Sequence, residues 1–558
     1  MKKFFCLIFI TAALLTGCFA ASGARADGGP NKYEGAYMIP GPGEKGYDEQ
    51  LALKARRFDR RFHAFNAFPM GIGPDVSVPL ENEEQRRLIE RFVLEDDGWD
   101  FEKFSGGKTA YDVIAGWDKT AGLYAGVAVA ADAFRYAVLR DQNADPAEVA
   151  IALKQLIAAL DAMHIAFTIG GKPGVVARGL LKKGLPGPGL TTKTTPQFDA
   201  AGNPLPAVKN NGTWREDNSG QYPGYIWEDS ISRDQMLGWA MASAAASEIM
   251  RGDPAFPEEL KSRLRADSDS VCRAMRVVHK NGYDLEFPDA DGRTTFFGHL
   301  NENNLDGQYI PGLKNGFYAM MSLGIYAAFS YAAENPESEK YLYNTLIKKR
   351  KLPNMALQHM KFVDMGAGSN FSNYNMAFTA GWLAVRYIND AAAREKLVAA
   401  IETKMYATPG ATRQPVEMKQ SLFDLIYAGA KTGGTAFTPP AQPSDAAAVG
   451  RAIETLIDYP QPPFFEFHVE NCGKADIEAL RCRLPDGTEI KLLGAVGWGD
   501  QYVADRPIPM KYRPASNYYW RSNPYEPNGG GNGGRMPSAA DFRVAYWLGR
   551  WTRVVQEK

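Results

Sequence analysis

The chemistry in this chain of 558 residues is concentrated between Trp214 and Trp239. That stretch holds Glu216, Asp217, Glu228 and Asp229, an Arg233–Asp234 pair, and the aromatics Trp214, Tyr225 and Trp227. Carboxylates beside flat aromatic faces suit a site that handles sugars. Sugar rings stack on the aromatics, and two carboxyl groups, one protonated and one ionised, can cleave a glycosidic bond. Ser232 is a natural N-cap, which puts Asp234 in the first turn of an apolar helix. There it serves either as a partner of the helix dipole or as an acid/base at the helix mouth. Asp118, in Trp117-Asp118-Lys119-Thr120, has the same place ahead of the preceding apolar helix and is the partner expected for Asp234. Asp234, Asp118, Asp229 and Glu228 are thus the acid/base candidates, with Trp117, Trp214, Tyr225 and Trp227 as stacking walls.

Cleavage by elimination would need different groups: an arginine to neutralise a sugar carboxylate, and a Tyr or His as base. Arg178, in a loop between helices, and Arg233, at the start of the apolar helix after Ser232, could meet an acidic sugar, although a structural acid is the plainer partner for Arg178. His299, in Phe296-Phe297-Gly298-His299-Leu300-Asn301, is the general-base candidate among six histidines. His164 and His279 fall on outer helices, where no chemistry is expected. Asp289-Ala290-Asp291-Gly292 begins like a calcium loop but lacks the later Glu, and reads as a turn between strands. Asp96-Asp97-Gly98-Trp99-Asp100 resembles the metal run of terpene cyclases, yet it follows a helix end and carries a glycine, so a solvated acidic loop is expected. No metal and no cofactor is called for by these patterns.

Lys2, Lys3 and the apolar run Phe4 to Leu15 make a short export signal. It ends in Leu15-Thr16-Gly17-Cys18, which resembles the lipobox of bacterial lipoproteins. The resemblance implies cleavage before Cys18, lipidation of its thiol and attachment to a membrane of the cell envelope. Residues 1–17 are then the signal peptide, 18–47 a Gly/Ala/Pro-rich tether and 48–558 the folded domain. Cleavage after Ala26 would instead release a secreted protein. In an oxidising compartment Cys472 and Cys482 are expected to pair. Lys and Arg total 63 against 64 Asp and Glu, a balance that excludes an electrostatic nucleic-acid footprint.

From Trp117 onward, apolar helices alternate with amphipathic ones. The apolar members are expected near 117–139, 232–250, 314–333, 372–388, 417–430 and 538–551, each preceded by a polar, Gly-rich loop such as Gly366-Ala367-Gly368-Ser369. An all-round apolar helix is buried, and an amphipathic one covers it. One segment, about 464–500, alternates like strands. The helix-pair rhythm, Glu228-Asp229-Ser230-Ile231-Ser232-Arg233-Asp234 and the terminal Ser538–Arg550 helix together look like bacterial α/α-toroid proteins. That resemblance implies an all-α toroid of about six helix pairs with a small β insertion, a shape that hosts glycoside hydrolases and polysaccharide lyases. Two functions fit. One is an envelope lipoprotein that binds and cleaves a carbohydrate polymer; the other is a non-catalytic lipoprotein scaffold for a glycan or protein partner.

Overall fold

The computed structural model describes residues 36–95, 98–186, 201, 213–360, 371–408, 414–496, 502–514 and 523–555. The expected signal peptide, the expected lipidation site Cys18, most of the expected tether, Asp96–Asp97 and residues Gly366–Ser369 lie outside those residues.

Six apolar helices run close to where their composition places them: α5 (Gly122–Asp141), α7 (Arg233–Met250), α9 (Gly316–Ala333), α12 (Ser372–Tyr387), α14 (Ser421–Lys431) and α17 (Ala540–Trp551). Every residue of α9 is buried, as expected of a helix apolar on all sides. Each helix touches the next in that order, α17 packs back on α5, and α7 also meets α12. Glycine sets the closest approach. A Cβ on Gly126 of α5 would fall inside the backbone of Gly238 and Trp239 of α7, and one on Gly238 would meet Gly122 and Leu123. Among the described residues two helices, α5 and α6 (Pro146–Thr168), are long and apolar enough to cross a membrane, but 89% of the apolar stretch of α5 is buried inside the fold.

The cover is more polar. The helix α6 lies on α5, α8 (Glu258–Met275) on α7 and α9, α10 (Pro336–Lys340) and α11 (Leu352–Gln358) on α9, α13 (Ala391–Ala400) on α12, and α15 (Ala446–Asp458) on α14. Local signals start them. Asp145, Asp390 and Asp445 each accept a hydrogen bond from a first-turn amide, and Pro146 occupies the first helical position of α6. Helices α1 (Glu49–Arg61), α2 (Glu83–Glu95), α3 (Phe101–Ser105) and α4 (Ala110–Val113) precede this array. A separate small core holds α2 to α4 together around Phe65, Phe92, Phe101 and Trp117.

The expected all-α toroid is corrected by the strands. The chain is about 51% helix and 12% strand, a mixed α/β protein. Among the described residues there are seven small sheets. Strands β2 (Val76–Ser77), β3 (Gly116–Trp117) and β17 (Arg535–Met536) form one, in the order β17-β2-β3. Strands β4 (Thr120–Ala121), β5 (Gly179–Lys182), β6 (Trp214–Glu216) and β7 (Tyr225–Glu228) form another, in the order β4-β5-β7-β6. Two hairpins, β8 (Glu286–Pro288) with β9 (Thr294–His299) and β10 (Asn304–Leu305) with β11 (Gln308–Tyr309), lead into α9. Thus the segments read as loops ahead of α5, α7 and α9 are largely strands. Pieces of two to six residues carry too little alternation to be read locally; they exist because distant segments pair with them.

Near the C-terminus β12 (Phe467–Glu470) pairs with β16 (Asn528–Asn532), while β13 (Arg481–Arg483), β14 (Glu489–Ala495) and β15 (Tyr502–Ala504) form a second sheet. Beside them lies α16 (Lys474–Glu478). Cys472 and Cys482 are disulfide-bonded with their Cα atoms 5.2 Å apart, over a small core of Leu484, Ile490, Leu492 and Ile508. Finally β1 (Ala36–Tyr37) pairs with β18 (Arg553–Val554).

A buried charge cluster ties the first helix to the last. Arg543 of α17, with no exposed side-chain surface, donates to Asp59 of α1 at 2.7 Å and to Asp132 of α5 at 2.5 Å. Trp547 donates to the second Asp59 oxygen at 2.9 Å, and Arg135 lies 3.6 Å from it. His63 sits 3.0 Å from Asp132. Burial lowers the His63 pKa despite that neighbour, so the ring stays neutral. Two arginines therefore balance two aspartates. Replacing Arg543 by Met would leave both acids buried without their main partner, and should cost about 3–5 kcal/mol in a urea unfolding measurement.

Candidate functional site

The two central sheets bring the starts of the apolar helices to one end of the molecule. Arg535, just before α17, pairs with Ser77, and Ser77 pairs with Gly116, just before α5. Asp118 and Lys119 are the turn from β3 into β4, and β4 reaches β7 through β5. The α5 amide of Leu123 donates to Gln235 of α7 at 2.7 Å. Arg233 of α7 donates to Asp306, in the turn of the β10–β11 hairpin, at 2.9 Å. Asn315 caps α9 by accepting from the Tyr318 amide at 3.0 Å. Four helix N-termini, those of α5, α7, α9 and α17, are linked in this way, each with donor N–H groups and partial positive charge.

The acid/base candidates lie at this end, but each is already engaged. Asp234 accepts from the Ser232 hydroxyl and, at 3.4 Å, from Gln235. Asp118 is held by Arg535 at 3.1 Å, which also holds Asp75 at 2.7 Å. Glu228 is buried and ion-paired to Lys119, with Arg178 at 3.8 Å. Arg178 also donates to the Ser230 carbonyl, so its role is to hold the β7–α7 junction. Asp229 is 1% exposed. It accepts from Arg215 at 2.8 Å and from the Ser230 and Ala290 amides. Burial, and then the charge of Asp289, push its carboxyl up to about 6. Asp229, Asp289 and Asp291 offer oxygens within 4.8 Å of one another. Arg215 and Arg293 occupy them: Arg215 meets Asp291 at 2.5 Å and Arg293 meets Asp289 at 2.6 Å. That makes the group an ion-pair network at the tip of the β8–β9 hairpin.

The stacking walls are corrected for two of four residues. Trp117 and Trp227 are 1% and 0% exposed. Their indole N–H groups are spent on the Phe65 carbonyl and on Asn218, so neither ring offers a face to a ligand. Trp214 is nearly buried beneath Lys119, whose amine lies 5.7 Å from the ring. Tyr225 is half-buried in the cluster of Met70, Leu181 and Trp214.

His299 stands in a different setting. It pairs with Glu286 across β8 and β9, and its Nδ1 lies 3.3 Å from a Glu286 oxygen and 3.4 Å from the Tyr309 hydroxyl. Among the described residues nothing hydrogen-bonds its Nε2. Glu286 also accepts from Tyr309, Thr294 and, at 3.0 Å, Asn281. Burial works against its charge, but the hydrogen bonds from His299, Thr294, Tyr309 and Asn281 outweigh it and bring the pKa down to about 2. Burial and the bond to Glu286 push the Tyr309 phenol well up, so it remains a donor. Tyr309 stacks on Tyr283 at 3.8 Å. His279, expected on an outer helix, instead follows the end of α8 at Met275 and stands 3.8 Å from Glu286.

Two residues along the same face of β9 from His299 is Phe297, because side chains alternate with a period of two. The Arg233 guanidinium lies 5.6 Å from the Phe297 ring and 4.9 Å from the Tyr318 ring. Its NH1 is buried and has no hydrogen-bond partner among the described residues. Arg233 and His299 were legible as candidates; Glu286, Tyr309 and Tyr318 were not. The one local signal was a charged residue, Glu286, between the apolar Leu285 and Phe287, all three fully buried.

No protein-family model matches this chain, and no curated protein is significantly similar to it.

Because its folded pKa is depressed from the ordinary 4.5 to about 2, Glu286 contributes stability above 4.5 that is lost as the pH falls toward 2. Glu286→Gln should unfold at lower urea than the parent at neutral pH, and the gap between the two should close on acidification.

Proposed function

We propose that this chain is an exported, lipid-anchored protein that binds an acidic carbohydrate polymer at the shared end of α5, α7, α9 and α17, and cleaves it by β-elimination. The observation that carries this reading is the His299–Glu286 pair, with Nε2 unengaged, beside Phe297 and an Arg233 whose NH1 has no partner. A base must be oriented and must keep its lone pair free. Glu286 fixes the Nδ1–H tautomer, which leaves Nε2 to accept a proton.

In the step envisaged, Arg233 takes the uronate carboxylate by charge-assisted hydrogen bonding. His299 Nε2 removes the proton from the carbon next to that carboxylate, and Arg233 stabilises the negative charge that develops on its oxygens. The electron pair forms a carbon–carbon double bond as the glycosidic oxygen on the adjacent carbon leaves. That oxygen takes a proton from water, giving an unsaturated uronide and a new hydroxyl end. Tyr309, held protonated, serves as a positioning residue for His299 and Glu286. Hydrolysis by Asp118 and Asp234 is the weaker reading, because both carboxylates are held by protein groups rather than left for a substrate.

The soluble domain mixed with polygalacturonate, alginate and hyaluronan should give rising ultraviolet absorbance from unsaturated uronide on at least one of them. His299→Ala should lower kcat roughly 10²-fold or more, and Arg233→Gln should raise KM and lower kcat together. Binding without any absorbance change or new reducing ends would favour a non-catalytic glycan scaffold. In a bacterial host that processes lipoproteins, labelled palmitate should enter the parent protein and not Cys18→Ala.

A further inference from the structure

A cavity lies at the opposite ends of these helices. Its volume is about 540 Å³, within the usual range for small-molecule sites. It opens among the C-terminal residues of α5, α7, α12 and α17 and the loop after α14. Four arginines line it, Arg140, Arg251, Arg386 and Arg553, against two acids, Asp141 and Glu248.

The arginines are held in place. Arg386 forms a two-pronged pair with Glu248, at 2.8 and 2.5 Å, and lies 4.1 Å from the Trp551 ring. Tyr387 donates to the same Glu248 at 3.0 Å. Arg251 donates to Glu334 at 2.7 Å and rests 4.4 Å from Tyr331. Arg553 lies 3.8 Å from Tyr37. Arg140 is clamped by Asp141 at 2.8 Å and Asp253 at 2.6 Å. Among the described residues nothing hydrogen-bonds the NH1 groups of Arg386 and Arg251.

Basic residues at helix C-termini offset the partial negative charge of the last carbonyls. That accounts for an arginine at each end, but not for three guanidinium planes each backed by an aromatic ring around one cavity. A ring-backed guanidinium presents its N–H edge in a fixed direction, the arrangement that grips a planar or tetrahedral oxyanion. Asp141 and Glu248 supply acceptors for hydroxyl groups in the same space. We infer that this cavity binds a hydroxylated organic anion of one or two rings, a sugar acid or a sugar phosphate, independently of the His299 end.

The test is calorimetry together with tryptophan fluorescence, since Trp551 underlies Arg386. It is run on the soluble domain carrying Arg233→Gln, which weakens binding at the other end, and the Arg251→Gln comparison assigns what binding remains to this cavity. Digalacturonate and glucose 6-phosphate are titrated separately, with neutral galactose as control. One of the two anions should bind saturably, and the stronger identifies the source of the charge, carboxylate or phosphate. Arg251→Gln should weaken it about tenfold, the loss of one charge-assisted contact. Its melting temperature should be unchanged, because its pair with Glu334 is exposed. Arg386→Gln should weaken it further, and if that variant does not fold, Arg251→Gln alone decides. Equal binding of galactose, no saturable binding of either anion at millimolar concentration, or an unaltered Kd in Arg251→Gln would overturn the proposal.

Discussion

The placement of Arg543 between Asp59 and Asp132 governs much of the rest. Taking a guanidinium and two carboxylates out of water is costly, and the cost is recovered only if their geometry is kept. That requirement fixes α17 against α1 and α5, joining segments more than four hundred residues apart. With α17 held there, Arg535 ahead of it reaches Asp75 and Asp118, and Trp551 at its other end reaches Arg386. The placement of α17 thus bears on Asp75 and Asp118 at one end of the helices and on Arg386 at the other. The glycine contact between α5 and α7 acts in the same direction, since their backbones meet only where Gly126 and Gly238 have no side chain.

The two ends of the helical array have different electrostatic characters. At the N-terminal end, helix dipoles and arginines add, and the acids present are mostly consumed by capping or by pairing with Lys119, Arg215 and Arg535. What remains unengaged there among the described residues is Nε2 of His299 and one nitrogen of Arg233. This combination suits abstraction of a proton next to a carboxylate better than bond cleavage by two acids. At the C-terminal end the dipoles oppose the arginines, and aromatic rings hold those arginines in place.

Much of the helical part was legible in the sequence. The apolar stretch from Gly122 and the Asp145-Pro146 start of α6 follow from burial and capping over a few residues; Ser232 does precede α7, but its hydroxyl bonds Asp234 and caps no amide. The site was legible only in part. His299 and Arg233 stood out by type and setting, whereas Trp117 and Trp227, chosen by the same reasoning, turned out to be core. A tryptophan beside glycines and acids looks alike whether its ring faces solvent or the interior. Only the neighbours supplied by Phe65, Asn218 and the strands decide which it is.

By itself the sequence determined where the long helices lie, which of them are buried, and that a hairpin near Cys472 and Cys482 could be cross-linked. These depend on interactions within a few residues, where period and capping act. The tertiary structure alone decided that the segments ahead of α5, α7 and α9 pair as strands, which makes the protein mixed α/β. It also decided that Glu286 lies across from His299 and that Arg233 lies over Phe297. Strand pairing and buried ion pairs depend on partners from other parts of the chain, and no local pattern encodes which partner arrives.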